Sequence, residues 1–235
     1  MNRINQIQSL YYSVGNSFDI QTIMRQVYIW MGLATMLTAV VAFLTVSTAL
    51  INLASNPVIL TIALIAEFSM VMGLSLSFNR ISVRMATLLF FAYAALNGFT
   101  LSVVMLTFNL GTVVSAFAST AVLFGVMSLV GYTTKVDLTK LGTYLMMGLI
   151  GLIIAMVVNM FIGKGPLDTI ISVIGVLIFT GLTAYDTQRI RRLAVQSSAE
   201  GDAATKLSIF GALKLYLDFI NMFIFMLHLR GGNRR

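Results

Sequence analysis

The sequence predicts an all-α polytopic membrane protein with seven transmembrane helices. Three observations carry that expectation. Hydrophobic residues fill 58% of the 235 positions and charged residues only 10%, where soluble chains average roughly 25% charged. The mean hydropathy is +0.93, more apolar surface than a globule of this length can hide from water. The apolar residues also gather in runs near the roughly 20 residues that a helix needs to cross a hydrocarbon core. No run alternates with the period of two that a barrel strand requires. With two prolines and no cysteine, collagen-like and disulfide-rich classes fall away, and thiolate chemistry with them.

Residues 1–26 are polar and contain no cleavage site behind a short apolar core, so the first span itself is expected to direct insertion. Spans follow at 27–48, 57–78, 86–107, 111–132, 141–163, 167–188 and 207–229. Asn56-Pro57 opens the second, Asn109-Leu110-Gly111 divides the third from the fourth, and Gly163-Lys164-Gly165-Pro166 divides the fifth from the sixth. The expected organisation is a polar N-terminal segment at 1–26, one seven-helix domain at 27–230 and a basic tail at 231–235. Residues 189–206 read as the one long loop. No internal repeat supports an inverted-repeat transporter.

The net charge of +7 does not form a patch, so nucleic acid is not an expected partner. Lys and Arg concentrate in the N-terminus and in 79–85, 133–140 and 189–206, while 49–56 and 108–110 carry none. By the positive-inside rule the N-terminus is cytoplasmic. The last span leaves two alternatives. A full crossing puts Arg230, Arg234 and Arg235 outside, whereas a partial turn keeps them inside.

Three acids interrupt the apolar runs: Glu67 midway in the second, Asp186 near the inner end of the sixth and Asp218 midway in the seventh. A charge at a helix centre costs about 2.5–3.5 kcal/mol on insertion scales, so lipid-facing positions are disfavoured. Each has a structural alternative. Asp186 can pair with Arg189 or Arg191, Asp218 with Lys214 at i−4, and Glu67 can sit protonated in a hydrogen bond between helices. Asn97, Asn159 and Asn221 read as bonds between helices, Ser115 and Ser119 as a close helix contact, and His228 as interfacial.

The stretches Ala184-Tyr185-Asp186-Thr187-Gln188 and Leu215-Tyr216-Leu217-Asp218-Phe219-Ile220-Asn221 carry a resemblance. With Asn97-Gly98-Phe99-Thr100-Leu101-Ser102 in the third run, the whole chain resembles the Bax inhibitor-1 family. The short N-terminus without a Pro-rich extension resembles the bacterial branch, which implies the bacterial inner membrane. The resemblance implies a last helix enclosed by the other six and a pH-sensitive calcium leak, not an enzyme. It implies a gate at Asp186 and Asp218, an ion path past Glu67 and a latch on the second helix, for which Arg80 is the candidate. No tightly bound cofactor is expected. Calcium is the permeant ion, met transiently by Asp186, Asp218 and Glu67, and the other partners are protons and the bilayer.

The residues themselves accord with an ion path. Calcium takes hard oxygen ligands, and carboxylates are the strong ones buried here. Two facing carboxylates in low dielectric do not easily both stay ionised, so a pair shares a proton and senses pH without histidine. The span edges place Asp186 near the inner surface and Asp218 near mid-membrane. For the two to meet, the sixth helix must continue past Arg189 or the seventh begin later. Three other functions compete: a proton-coupled cation exchanger, a non-conducting regulator of membrane proteins, and an intramembrane aspartyl protease. The protease also uses Tyr-Asp in one helix and Asp in the next. It needs Gly-x-Gly-Asp in the second, where this chain has Leu215-Tyr216-Leu217-Asp218.

Overall fold

The computed structural model describes residues 3–76, 80–162, 166–197 and 201–231, with side chains from residue 20 onward except those of 162, 166 and 197. The order is α1 (Arg3–Ser47), α2 (Leu50–Ala54), α3 (Pro57–Leu76), α4 (Val83–Met105), α5 (Leu110–Thr133), α6 (Thr139–Ile162), α7 (Pro166–Ser197) and α8 (Asp202–Gly231). No strand occurs among the described residues. Seven of these helices are long and apolar enough to cross a bilayer, α1 through Ile20–Ser47. The chain is an all-α multi-pass membrane protein. Helix α2 is a single turn inside a connector, so the sixth and seventh spans are α7 and α8.

Side chains that satisfy the free N–H groups of a first turn set the helix starts. The Asn56 side-chain oxygen accepts from the Val58 N–H at 3.0 Å, and Pro57 takes the first position of α3. Ser82 accepts from the Met85 N–H at 3.3 Å, and Asn109 from the Thr112 N–H at 2.8 Å. The caps at Asn56 and Asn109 fall where the sequence places span edges, whereas Ser82 starts α4 inside the expected 79–85 loop.

Helix α8 is the centre of the bundle. It packs against α1, α4, α5 and α7, and 67% of its most apolar window is buried, against 11% for α6 at the periphery. Phe43, Phe68 and Phe161 on the outer helices are exposed, as lipid-facing residues are. Close approach needs glycine at two places. A Cβ on Gly98 of α4 would lie 2.5 Å from the Thr38 carbonyl oxygen of α1, and one on Gly131 of α5 would overlap the Ala184 carbonyl of α7. Small residues let membrane helices approach in this way.

Three expectations change. Residues 189–206 are not one long loop: α7 continues through Gln188 to Ser197, and α8 begins at Asp202. Arg189, Arg191, Arg192 and Lys206 lie on helices that outrun the hydrocarbon, since 32 and 30 residues extend about 48 and 45 Å against a core of about 30 Å. Second, one of the two alternatives left open for the last span is resolved: α8 runs unbroken from Asp202 to Gly231, long enough for a full crossing. Its end lies beside the α4–α5 connector, where the His228 ring is 5.6 Å from Phe108 and an Arg230 N–H donates to the Ser119 hydroxyl at 2.5 Å. Arg230 is therefore at the end of the bundle opposite the α7–α8 connection, and 232–235 of the expected tail lie outside the described residues. Third, Asn221 donates to Leu217 on its own helix at 2.8 Å rather than to a neighbour. Asn159 does bond between helices, to Asp168.

Candidate functional site: an aspartate pair and a carboxylate network

Asp186 and Asp218 are 6% and 4% exposed, on helices that pack extensively against each other. The hairpin geometry brings them together. By helical rise, Asp186 lies about 17 Å from the α7 end of the hairpin and Asp218 about 24 Å from the α8 start. Side chains lean toward a helix's own N-terminus, so on antiparallel helices these two lean toward one another. The Asp186 carboxyl is near enough to bear on Asp218. The continuation of α7 past Arg189 therefore meets the requirement that the sequence sets. One oxygen of Asp218, Oδ2, is buried with no hydrogen-bond partner.

Lys214 is the cation nearest this pair in effect. It stands one turn before Asp218 and about level with Asp186, half-buried, and its charge acts on both aspartates. It is within 4.0 Å of neither. Among the described residues the one ion pair at that distance is Arg192–Asp137, at 2.7 Å. Local pairing of Asp186 with Arg191 is not found. The Arg191 guanidinium donates to the Tyr132 carbonyl at 2.9 Å and lies over the Tyr132 ring. Arg80, the latch candidate, is exposed in the α3–α4 turn and outside that ion pair.

The basic end of α7 is anchored by hydrogen bonds from Gln188 and Arg192. Gln188 donates to the Val136 carbonyl at 2.7 Å and accepts from the Leu138 N–H at 2.9 Å. Arg192 donates to Thr139 and Asp137. These bonds tie the α5–α6 connector to the turn after Asp186. On the α5 side, Tyr28, Ser128 and Thr187 are joined by hydrogen bonds of 2.6 and 3.1 Å. The first two line an open groove of about 370 Å³ with Gln21, Met24 and Phe124. The chain runs from that groove to the residue beside Asp186.

Glu67 stands in a different place. It is half-buried on α3, where its Oε1 accepts from the Thr100 hydroxyl at 2.7 Å and its Oε2 from the Asn97 amide at 3.4 Å. The Asn97 Oδ1 accepts from the Tyr216 hydroxyl at 3.2 Å, which is 2.7 Å from the Thr38 hydroxyl. Four helices, α3, α4, α8 and α1, thus share one buried polar network. Tyr216 and Asp218 are two residues apart and so point about 200° apart round α8. The central helix separates the network from the aspartate pair. Among the described residues no group of three or more His, Cys, Asp or Glu is placed to hold a metal ion. The structure brings Asp186 and Asp218 together and leaves Glu67 apart, so the three do not form one ligand set.

Fold and site define a polytopic helical membrane protein that buries ionisable residues inside its bundle, a placement that marks ion and proton paths in such proteins. A family model described as inhibitor of apoptosis-promoting Bax1 matches residues 20–235, and the chain belongs to the Bax inhibitor-1 family. An uncharacterized protein of Deinococcus radiodurans is 43% identical over 218 residues, 92% of each chain. The inner membrane protein YbhL of Escherichia coli K12 is 41% identical over 92% of this chain and 93% of its own. An uncharacterized membrane protein of Streptococcus pyogenes serotype M1 is 39% identical over 88% and 91%.

Proposed function

We propose that this protein is a pH-sensitive calcium leak that passes the ion down its gradient, with Asp186 and Asp218 as its proton-operated gate. The observation that carries the reading is the fully enclosed Asp218, with an unpartnered carboxylate oxygen beside a second buried aspartate. Such an oxygen is costly to bury unless a proton or a cation meets it. Lys214 balances part of the pair's charge from within α8, which gives it a better place as counter-charge than the exposed Arg80. The groove at Tyr28 and Ser128 supplies an approach to Asp186 from the basic end.

The test is calcium flux into liposomes containing the purified protein, read across pH. A flux that follows protein content and changes with pH supports the leak, and its absence refutes it. Counter-flow of protons in proportion to calcium would identify an exchanger instead. Glu67→Gln keeps the shape of the side chain and removes its charge, and it is expected to lower the flux by about tenfold, through loss of a charge-assisted oxygen contact. Unchanged flux and calcium dependence would leave Glu67 a packing residue.

The same reading places the chain in the bacterial inner membrane, the membrane that YbhL's name gives, with its N-terminus and the α3–α4, α5–α6 and α7–α8 connections inside. On this cysteine-free chain, Ser82→Cys should resist an impermeant thiol reagent in sealed cells and Thr107→Cys should react. The reverse pattern overturns the orientation.

A further inference from the structure

The hydroxyls around Glu67 each have a second acceptor within reach. Thr100 Oγ1 is 2.7 Å from Glu67 Oε1 and 3.0 Å from the Asn97 main-chain oxygen. Thr38 Oγ1 is 2.8 Å from the Ala94 oxygen and 2.9 Å from the Ala34 oxygen, besides its contact with Tyr216. Tyr216 has one proton and two candidate acceptors, Asn97 Oδ1 and Thr38 Oγ1. The network therefore has two complete arrangements on the same heavy atoms.

In the first, the Asn97 N–H₂ donates to Glu67 and the Tyr216 hydroxyl donates to Asn97 Oδ1. In the second, the Asn97 amide turns by 180°. Its N–H₂ then donates to the Tyr216 oxygen, Tyr216 donates to Thr38, and Thr38 donates to the Ala94 carbonyl. The Thr100 hydroxyl turns its proton to the Asn97 main-chain oxygen. No donor or acceptor among these loses a partner, except those now facing Glu67. There the carboxylate, Asn97 Oδ1 and Thr100 Oγ1 converge with free lone pairs, a hard-oxygen set of the kind that divalent cations take. Asn97 and Thr100 are each 7% exposed and Tyr216 is fully enclosed, so the walls of the set are fixed while the amide turns.

We infer that Asn97 is a reversible cation ligand beside Glu67, exchanged between ligand and hydrogen-bond donor by rotation of its amide, with Tyr216 and Thr38 as the positioning residues that accept the turned amide. This rests on the reading that a hard cation travels through the bundle. It adds to that reading a residue that discriminates for oxygen-seeking ions and a hydroxyl relay outside the ligand set. Thr38 stands outside the ligand set, yet it completes the chain of acceptors that the turned amide uses.

The experiment reads binding apart from flux. The full-length protein in lipid nanodiscs is titrated with CaCl₂ while the infrared carboxylate bands are followed, and Glu67→Gln identifies the band that belongs to Glu67. The expected result is a calcium-dependent Glu67 band whose midpoint moves up about tenfold in Asn97→Leu and in Thr38→Val, the effect of about one lost polar contact. Thr38→Ser should restore the parent midpoint, which a merely packing role for the residue would not do. Absence of a Glu67-dependent band in the parent overturns the inference, as does a midpoint unchanged in Asn97→Leu. Equal weakening by Thr38→Val and Thr38→Ser overturns it too, and this pair decides the matter if Asn97→Leu does not fold. A retained band without liposome flux refutes the leak and leaves this inference standing.

Discussion

Asn in place of either Asp186 or Asp218 should flatten the pH dependence of calcium flux, and the double variant should add little. Two enclosed carboxyls close enough to interact would bind and release protons as one unit. On the paired-gate reading, a proton shared between them would bridge α7 and α8 at low pH. As pH climbs that proton leaves, and two anions in low dielectric repel unless Lys214 or an entering cation balances them. Asn at one site makes a neutral, non-titrating partner, so the remaining carboxyl no longer has a like charge to avoid. Flux in each single variant should vary by less than about twofold over the range in which the parent changes, and the double variant should match the singles within the same factor. Additive effects, or an unchanged profile in one single variant, would separate the two residues and end the paired-gate reading. Asp137→Asn is the control. The Arg192 hydrogen bond, and then the bonds from Thr139, hold the Asp137 carboxyl well below the usual carboxylate range. A lowered folded value gives a contribution that is complete above the ordinary carboxylate range and is lost only as pH falls through the lowered value. Asp137 therefore does not titrate near neutrality, and its substitution should leave the profile unchanged.

Gly131→Ala should destabilise the bundle and shift the gate together. The added Cβ has no room against the Ala184 backbone, and backbone does not yield as a flexible side chain does. Helices α5 and α7 must separate, at about 1–3 kcal/mol for overpacking of this kind. The displacement acts one turn from the Ser128–Thr187 bond and two residues from Asp186. Thermal unfolding in detergent should fall by several degrees, about 2–4 °C per kcal/mol for a chain of this size, and the pH midpoint of flux should move with it. A lower unfolding temperature with an unmoved midpoint would confine Gly131 to packing. Unchanged stability would mean that α5 and α7 do not approach as described.

Hydropathy and charge made most of the fold legible, because both are summed over many residues. The helix starts at Asn56 and Asn109 were legible too, since a cap is a local contact. The α7–α8 corner was not. Arg189, Arg191, Arg192 and Glu200 lower the mean hydropathy, so the run looks finished at 188. The helix nevertheless continues, because Gln188 and Arg192 find partners on the α5–α6 connector. A hydropathy run measures how much helix the hydrocarbon covers and says nothing of helix beyond it.

The sequence by itself determined that seven helices cross the membrane, which ends carry positive charge, and that three acids lie where water is scarce. These follow from transfer free energies that each residue carries wherever it packs. Only the tertiary structure decided that Asp186 lies beside Asp218 across a hairpin, that Lys214 stands near both without pairing with either, and that Glu67 belongs to a separate network built on Asn97, Tyr216 and Thr38. Those partners come from helices up to 178 residues apart in the chain. Spacing along one helix fixes which residues share a face, but the helix that covers the face is chosen by packing. Close packing turns on small residues such as Gly98 and Gly131, which hydropathy scores no differently from glycines in open space.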